Sequence, residues 1–201
     1  MKYKFDHGVV KIVETIEKAG YEVWIVGGAV RDLLLDIPSS DWDVTTNATP
    51  EQIQPLFTDS FYDNEYGTVK VAGKHISEQF GLAEGEIDDS VLYDITTYRS
   101  ESEYSDKRRP DSVEWGKTVE EDLKRRDFTI NAIALRQAQG KFAEIVDPYG
   151  GQEDLNTKLI KAVGDPTERF EEDALRIMRA IRLSSQLGFM IEDQTLVALK
   201  E

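Results

Sequence analysis

The stretch "YEVWIVGGAVRDLLLDIPSSDWDVTT" (residues 21–46) constrains the fold of this chain more than any other. An apolar run rich in Val and Ile reads as a strand. Two glycines then open a short helix, and a second strand carries aspartates at 41 and 43. Side chains two residues apart on a strand point to the same face. Asp41 and Asp43 therefore project together, with Trp42 and Val44 turned to the other side. Like charges that close raise each other's pKa unless a cation stands between them. The pair is either a solvated strand edge or half of a metal site.

Composition narrows which metal that would be. The 201 residues include no cysteine and only two histidines, His7 and His75, which excludes disulfides and thiolate sites and disfavours zinc. Oxygen ligands favour magnesium, calcium or manganese. The length suits one large domain or one domain with an appendage. No segment approaches the ~20 apolar residues that span a bilayer, and the first residues lack the pattern of a signal peptide. A net charge of −15 argues against a broad nucleic-acid-binding face. The arginines are nonetheless concentrated: Arg99, Arg108, Arg109, Arg125 and Arg126 in one stretch, Arg169, Arg176, Arg179 and Arg182 in another. Such clustering in an acidic chain suggests a local polyphosphate or RNA-end site.

Periodicity predicts a helix after His7 that Gly20 stops, strands over 21–26, 41–46, 66–73 and 91–99, and a helix entered through Thr49, Pro50 and Gln52. Residues 74–90 read as loop, and 100–116 as a long, mobile loop. A capping box from Thr118 to Glu121 opens a helix expected to continue through "FTINAIAL". "FAEIVD" is a strand. From Thr167 an unbroken helix is expected up to Gly188, with Phe170, Ala174, Ile177, Met178 and Ile181 on its apolar side. Another helix begins at "DQTLVALKE". The pattern is α/β up to about residue 145 and helical beyond it.

Four groups of residues could carry chemistry. Gly27 and Gly28 between strand and helix let backbone N–H groups approach an anion, and Arg31 adds a guanidinium. Alone, this reads first as an ordinary packing turn, and it is neither GxGxxG nor GxxxxGK. Asp94, in "YDITTYR", would join Asp41 and Asp43 if the two strands pair. Three carboxylates can hold two divalent cations roughly 3.5–4 Å apart, an arrangement suited to phosphoryl transfer. In "KRRDFTINA", Arg125 and Arg126 could grip a triphosphate and Asp127 a ribose; a basic helix end would explain the arginines but not Asp127 or Asn131. In "EEDALRIMRAIR", Glu172 and Arg176 have salt-bridge spacing, and Asp173 with Arg176 could instead complement the edge of a base.

Taken in order, "GGAVRD", "DWD", "YDITTYRSE", "DLKRRDFTINAIA", "VDPYGGQEDL" and "GDPTERFEEDALRIMRAIRLSSQLGF" resemble the class II tRNA nucleotidyltransferases (CCA-adding enzymes) and the related bacterial poly(A) polymerases, within the polymerase-β-like nucleotidyltransferase superfamily. The resemblance covers nearly the whole chain. It implies an α+β head with a small mixed sheet flanked by helices (residues 1–145), followed by an all-α neck (146–201). It implies template-independent addition of C and A to tRNA 3′ ends in the cytoplasm, with CTP, ATP and tRNA as partners, no membrane, and Mg2+, or Mn2+ in its place, as cofactor.

Carried over by position, Asp41 and Asp43 would bind the metals, with Asp94 as the third catalytic carboxylate. Gly27, Gly28, Arg31, Arg125, Arg126, Asp127, Asn131 and Arg179 would contact the nucleotide. Glu172, Asp173 and Arg176 would select the base. Tyr104, Asp106, Arg108 and Arg109 fall in the family's flexible loop, which leans against a CC-only enzyme. An A-only adder and a poly(A) polymerase remain open, as does a non-catalytic nucleotide-binding module, against which the intact acid trio argues. The family continues into body and tail domains that anchor tRNA, so the chain is expected to end within the neck and to grip tRNA weakly.

Overall fold

The computed structural model describes residues 5–39, 41–63, 67–100, 115–138 and 141–200. The first half runs α1 (His7–Lys18), β1 (Val23–Val26), α2 (Gly28–Leu34), β2 (Trp42–Thr46), α3 (Pro50–Ile53), β3 (Phe61–Asp63), β4 (Thr68–Ala72), α4 (Gly73–Phe80) and β5 (Leu92–Thr97). Then come α5 (Val119–Lys124), β6 (Ala134–Ala138), β7 (Lys141–Val146), α6 (Gly151–Thr157), β8 (Leu159–Ile160), α7 (Pro166–Glu172), α8 (Leu175–Leu187), β9 (Met190–Ile191) and α9 (Asp193–Ala198).

A seven-stranded sheet has the order β3-β4-β5-β2-β1-β6-β7. β2 and β5 run parallel, and the other pairings of this sheet are antiparallel. Alternation along the central strands divides the molecule. Val23, Ile25, Trp42 and Val44 pack in one core with Val9, Ile12 and Ile16 of α1. Trp24 and Val26 face the other way, onto Tyr98, Val119 and Leu123. Each fully buried aliphatic side chain stabilises the fold by roughly 1.5–3 kcal/mol relative to exposure. The first core is contiguous with Leu155, Ile160, Phe170, Leu183 and Phe189 of the C-terminal part. Among the described residues no helix is long and apolar enough to cross a membrane.

The structure departs from the sequence expectations in four places. Residues 74–80 are helical rather than loop: α4 buries Ile76 against α1 and ends at Gly81 in the left-handed region. "FTINAIAL" does not continue α5. A 3-10 turn over Thr129–Asn131 leads into β6, which lies between β1 and β7. Ala134 and Leu135 are both fully buried, one in each core, so this strand shows no alternation. The helix expected from Thr167 is broken. Asp173 has extended backbone (φ −142, ψ 102), and α8 starts afresh at Leu175. The break turns α8, so that Ala180 and Leu183 are buried while Met178 is 64 % and Ile181 52 % exposed. Finally, the helical remainder includes a short parallel pair, β8 with β9. The loop residues Tyr104, Asp106, Arg108 and Arg109 lie outside the described residues.

Asp6 ties α1 to the sheet. Its Oδ1 accepts the N–H groups of Gly8 (2.8 Å) and Val9 (3.1 Å) and the hydroxyl of buried Tyr93 (2.5 Å). Asp6→Ala uncaps the helix and leaves a buried hydroxyl unpaired, at a cost of about 2–3 kcal/mol. Calorimetry should show a fall in Tm of roughly 5 °C or more, whereas Asp6→Asn, which keeps an acceptor oxygen, should lose less.

Candidate active site

The register of β2 against β5 places Asp43 opposite Asp94, and that of β1 against β2 places Val26 opposite Asp43. Register partners project to one face, so the two carboxylates stand side by side, with Asp41 just before β2. Burial pushes the Asp43 carboxyl up to about 6; Arg126 opposes this, Asp41 and Asp94 add to it, and Lys70 again opposes it. Lys70, the β4 partner of Asp94, holds its Oδ2 at 3.0 Å.

Gly27 closes β1 with φ +73. A Cβ there would lie 3.1 Å from Arg126 Nη1 and 3.2 Å from Asp43 Oδ2. Only glycine both tolerates this backbone and lets the guanidinium and carboxylate approach. Gly28 opens α2, which carries Arg31 into the cleft. The Arg31 fork is fixed: Nε and Nη2 donate to Asp32 Oδ1 at 2.8 and 2.7 Å, and Nη1 donates to Asn131 Oδ1 at 2.9 Å.

α5 is entered as expected through Thr118, whose Oγ1 accepts the Glu121 N–H; Glu121 reaches back to Lys117 N–H rather than to Thr118. The helix stops at Arg125. Arg125 and Arg126 then turn onto Asp122, one and the same buried carboxylate. Asp127 accepts from Arg179 Nε at 2.6 Å, from its neighbour's N–H, and from Asn131 Nδ2 at 3.2 Å. These bonds cross from α8 to the 3-10 turn and on to α2. They also mean that Asp127 is a bound, orienting carboxylate rather than an open acceptor.

The break after α7 exposes one more pair to the cleft. Asp173 Oδ1 accepts the Leu175 N–H at the start of α8, and the residue lines the cleft. Arg176 is buried. Its Nη1 donates to Glu172 Oε2 (2.6 Å) and Arg169 O, and its Nη2 to Arg125 O (3.1 Å). Glu172 lies behind the cleft, bridging Arg176 and Arg169.

A single cleft of about 530 Å3 gathers these elements. Every site residue expected in the described part of the chain lines it, except Glu172. The lining includes seven arginines and five aspartates. The sequence reading missed Thr68, Thr96, Leu183 and Gln186 of the lining, did not use Arg99 and Arg182, and missed Asp122 beneath it. For a metal, the donors are carboxylate oxygens, which suits a hard cation. Among the described residues no three of them already form a cage, and one oxygen of Asp94 is committed to Lys70. The fit therefore rests on Asp41 and Asp43, with Asp94 alongside.

Comparison with known proteins bears on what this arrangement does. Residues 23–161 match the family described as the Poly A polymerase head domain. A CCA-adding enzyme of Lactobacillus helveticus is 48 % identical over 94 % of this chain, and one of a Geobacillus species 45 %. The chain spans 43 % of the length of these curated relatives. Among solved structures, the Bacillus stearothermophilus CCA-adding enzyme in complex with CTP superposes with a TM-score of 0.77 at 36 % identity, covering 95 % of this chain and 42 % of the other. The Thermotoga maritima enzyme complexed with tRNA does so with 0.70 at 26 % identity, covering 94 % and 39 %.

The raised Asp43 carboxyl has a stability consequence. The folded state holds that proton more tightly than the unfolded chain, whose value is near 3.8. The stabilisation is complete below 3.8 and is lost as pH rises through about 6. In metal-free buffer at pH 8, Asp43→Asn should therefore be more stable than the wild type by on the order of 2 kcal/mol. The gap should shrink towards zero in acid, as thermal melts across pH will show.

Proposed function

The chain belongs to the Poly A polymerase head domain family, and from that premise we propose that it is a nucleotidyltransferase that adds C and A to tRNA 3′ ends without a nucleic-acid template. The terminal 3′-hydroxyl attacks the α-phosphate of CTP or ATP, the α–β phosphoanhydride bond breaks, and pyrophosphate leaves. The observation that carries this reading is the convergence in one cleft of the Asp41–Asp43–Asp94 edge, the arginines after α5, and the Asp173–Arg176 pair from the helix break.

Each part has a task that its geometry suits. Gly27 leaves room beside Asp43 for a phosphate to approach the backbone. Arg126 lines the cleft, and its Nη1, beside Gly27 and not used by Asp122, is the donor it has to offer an incoming anion. Arg31, Arg125 and Arg179 are already oriented by carboxylates, so little side-chain freedom is lost when a triphosphate binds. Asp173 brings a carboxylate acceptor to the cleft, and Arg176, whose Nη1 is spent on Glu172 and the Arg169 carbonyl, keeps its Nε and one Nη2 hydrogen for a base edge. Mg2+ held by Asp41 and Asp43, with Asp94 beside them, would acidify the attacking hydroxyl and offset charge on the departing pyrophosphate.

The test uses tRNA transcripts lacking the CCA end, carrying one C, and carrying both, each with one labelled nucleotide and magnesium. C added to the first two and A only to the third supports CCA addition. Use of ATP alone would replace it with A-only addition or poly(A) synthesis. Asp43→Ala should reduce incorporation by about 10³-fold or more, since the attacking hydroxyl is no longer activated. A non-catalytic nucleotide-binding module instead predicts no incorporation by either protein, with CTP binding retained.

The net charge of −15 leads to a further expectation. Nucleotide binding should be retained by this chain, while tRNA binding at physiological salt should be weak. Filter binding that shows a tight tRNA complex would contradict this.

A further inference from the structure

Asp122 belongs to no part of the proposed chemistry, yet its surroundings are unusual. It sits on α5 with no exposed surface. Its Oδ1 accepts from Arg125 Nε (3.0 Å) and Nη2 (2.5 Å), and its Oδ2 accepts from Arg126 Nη2 (2.9 Å). The backbone N–H of Arg99, at the end of β5, donates to the same Oδ1 at 3.4 Å. Arg99, Arg125 and Arg126 all line the cleft. Burial alone would raise the Asp122 carboxyl, but the two guanidiniums outweigh it and hold the group well below the usual carboxylate range. It is an anion at any ordinary pH.

The bonds to Asp122 use one side of each fork. Nη1 of Arg125, and Nη1 and Nε of Arg126, are not among them. Arg126 Nη1 comes close enough to Gly27 that a Cβ there would stand 3.1 Å away, beside Asp43 Oδ2. Two carboxylates, Asp43 and Asp122, therefore compete for one guanidinium. Asp122 has the shorter claim and is fully buried, so Arg126 is kept beside Asp43 without being consumed by it.

We propose that Asp122 is the positioning residue of the cleft: it fixes Arg125 and Arg126 so that their remaining donors converge on a triphosphate, and keeps Arg126 from closing onto Asp43. This rests on the reading of the cleft as a nucleoside triphosphate site. Removing the Asp122 charge frees both arginines. Arg126 then pairs with Asp43, and both the phosphate donors and the carboxylate are lost to the substrate. The effect differs from that of a general packing residue, because it runs chiefly through the two guanidiniums, which make the shorter bonds to Asp122.

The experiment measures binding of inorganic tripolyphosphate and of CTP by calorimetry, without metal, to the 201-residue chain. The proteins are wild type, Asp122→Asn, Asp122→Glu and Arg126→Ala, and each Asp122 variant combined with Arg126→Ala; folding is checked by circular dichroism. Asp122→Asn should weaken tripolyphosphate binding roughly tenfold or more, in line with the loss of charge-assisted contacts. In the Arg126→Ala background the same change should cost much less, a non-additivity that a merely structural role does not produce. Asp122→Glu keeps the charge and displaces the forks, so it should fold normally and still bind tripolyphosphate more weakly. If Asp122→Asn unfolds, Asp122→Glu carries the test alone.

Wild-type affinity in a folded Asp122→Asn protein, or in Asp122→Glu where that carries the test, overturns the positioning role and leaves the reading of the cleft intact. Additive losses in the double variants overturn the role in the same way. Failure of the wild type to bind either ligand overturns that reading and the positioning role together.

Discussion

The pairing of β2 with β5 in a register that sets Asp43 against Asp94 is the constraint around which the cleft is arranged. Two like charges about 5 Å apart cost on the order of 3 kcal/mol at an effective dielectric of ~20. The structure answers with alternating charge. Lys70 neutralises Asp94 from the outer strand, Arg126 approaches Asp43 from the opposite side, and Asp122 holds Arg126 together with Arg125. The line runs lysine, aspartate, aspartate, arginine, aspartate, arginine. Its weak place is the adjacent pair of aspartates, where Asp43 retains a raised pKa. That is where a small cation would be accommodated best.

The second organising element is the break between α7 and α8. A continuous helix would have carried Asp173 and Arg176 round one surface, spaced for a solvent-exposed pair. The extended backbone at Asp173 instead lets its carboxylate accept the Leu175 N–H at the start of α8 and turns Arg176 inward, where Glu172 and two carbonyls fix it. From α8, Arg179 continues the connection through Asp127 and Asn131 to Arg31 on α2. α2 and α8 thus meet across the cleft through a bonded path. This rigidity favours selection by shape and hydrogen bonding over selection by side-chain rearrangement.

Much of this was legible in the residues themselves. The glycine turn, the paired aspartates and the caps at Thr49 and Thr118 act locally, and local chemistry is what a sequence displays. β6 was misread because a strand buried on both faces loses its alternation, and "INAIAL" then satisfies a helical pattern equally well. α4 was missed because its helical signal is two apolar residues, Ile76 and Phe80, in a polar, glycine-flanked stretch. The break in α7–α8 depends on a tertiary position for Arg176 that no spacing announces. Asp122 was available: it stands three and four residues before Arg125 and Arg126, the separations at which helical side chains meet.

The overall charge and the local charge act on different partners because of their range. At physiological salt the screening length is about 8 Å, so the net −15 is felt by a long RNA backbone lying along the surface. Within the cleft the relevant charges are at contact distance, and arginines outnumber aspartates there, seven to five. A small polyanion that enters is therefore attracted, while an extended one lying outside is repelled. The arginines are also held by the very aspartates that lower the net charge, so the acidity of the chain and the order of its cleft share one cause. On these terms the cleft admits a small polyanion or the end of a longer one, while the acidic outer surface disfavours a polyanion lying along it.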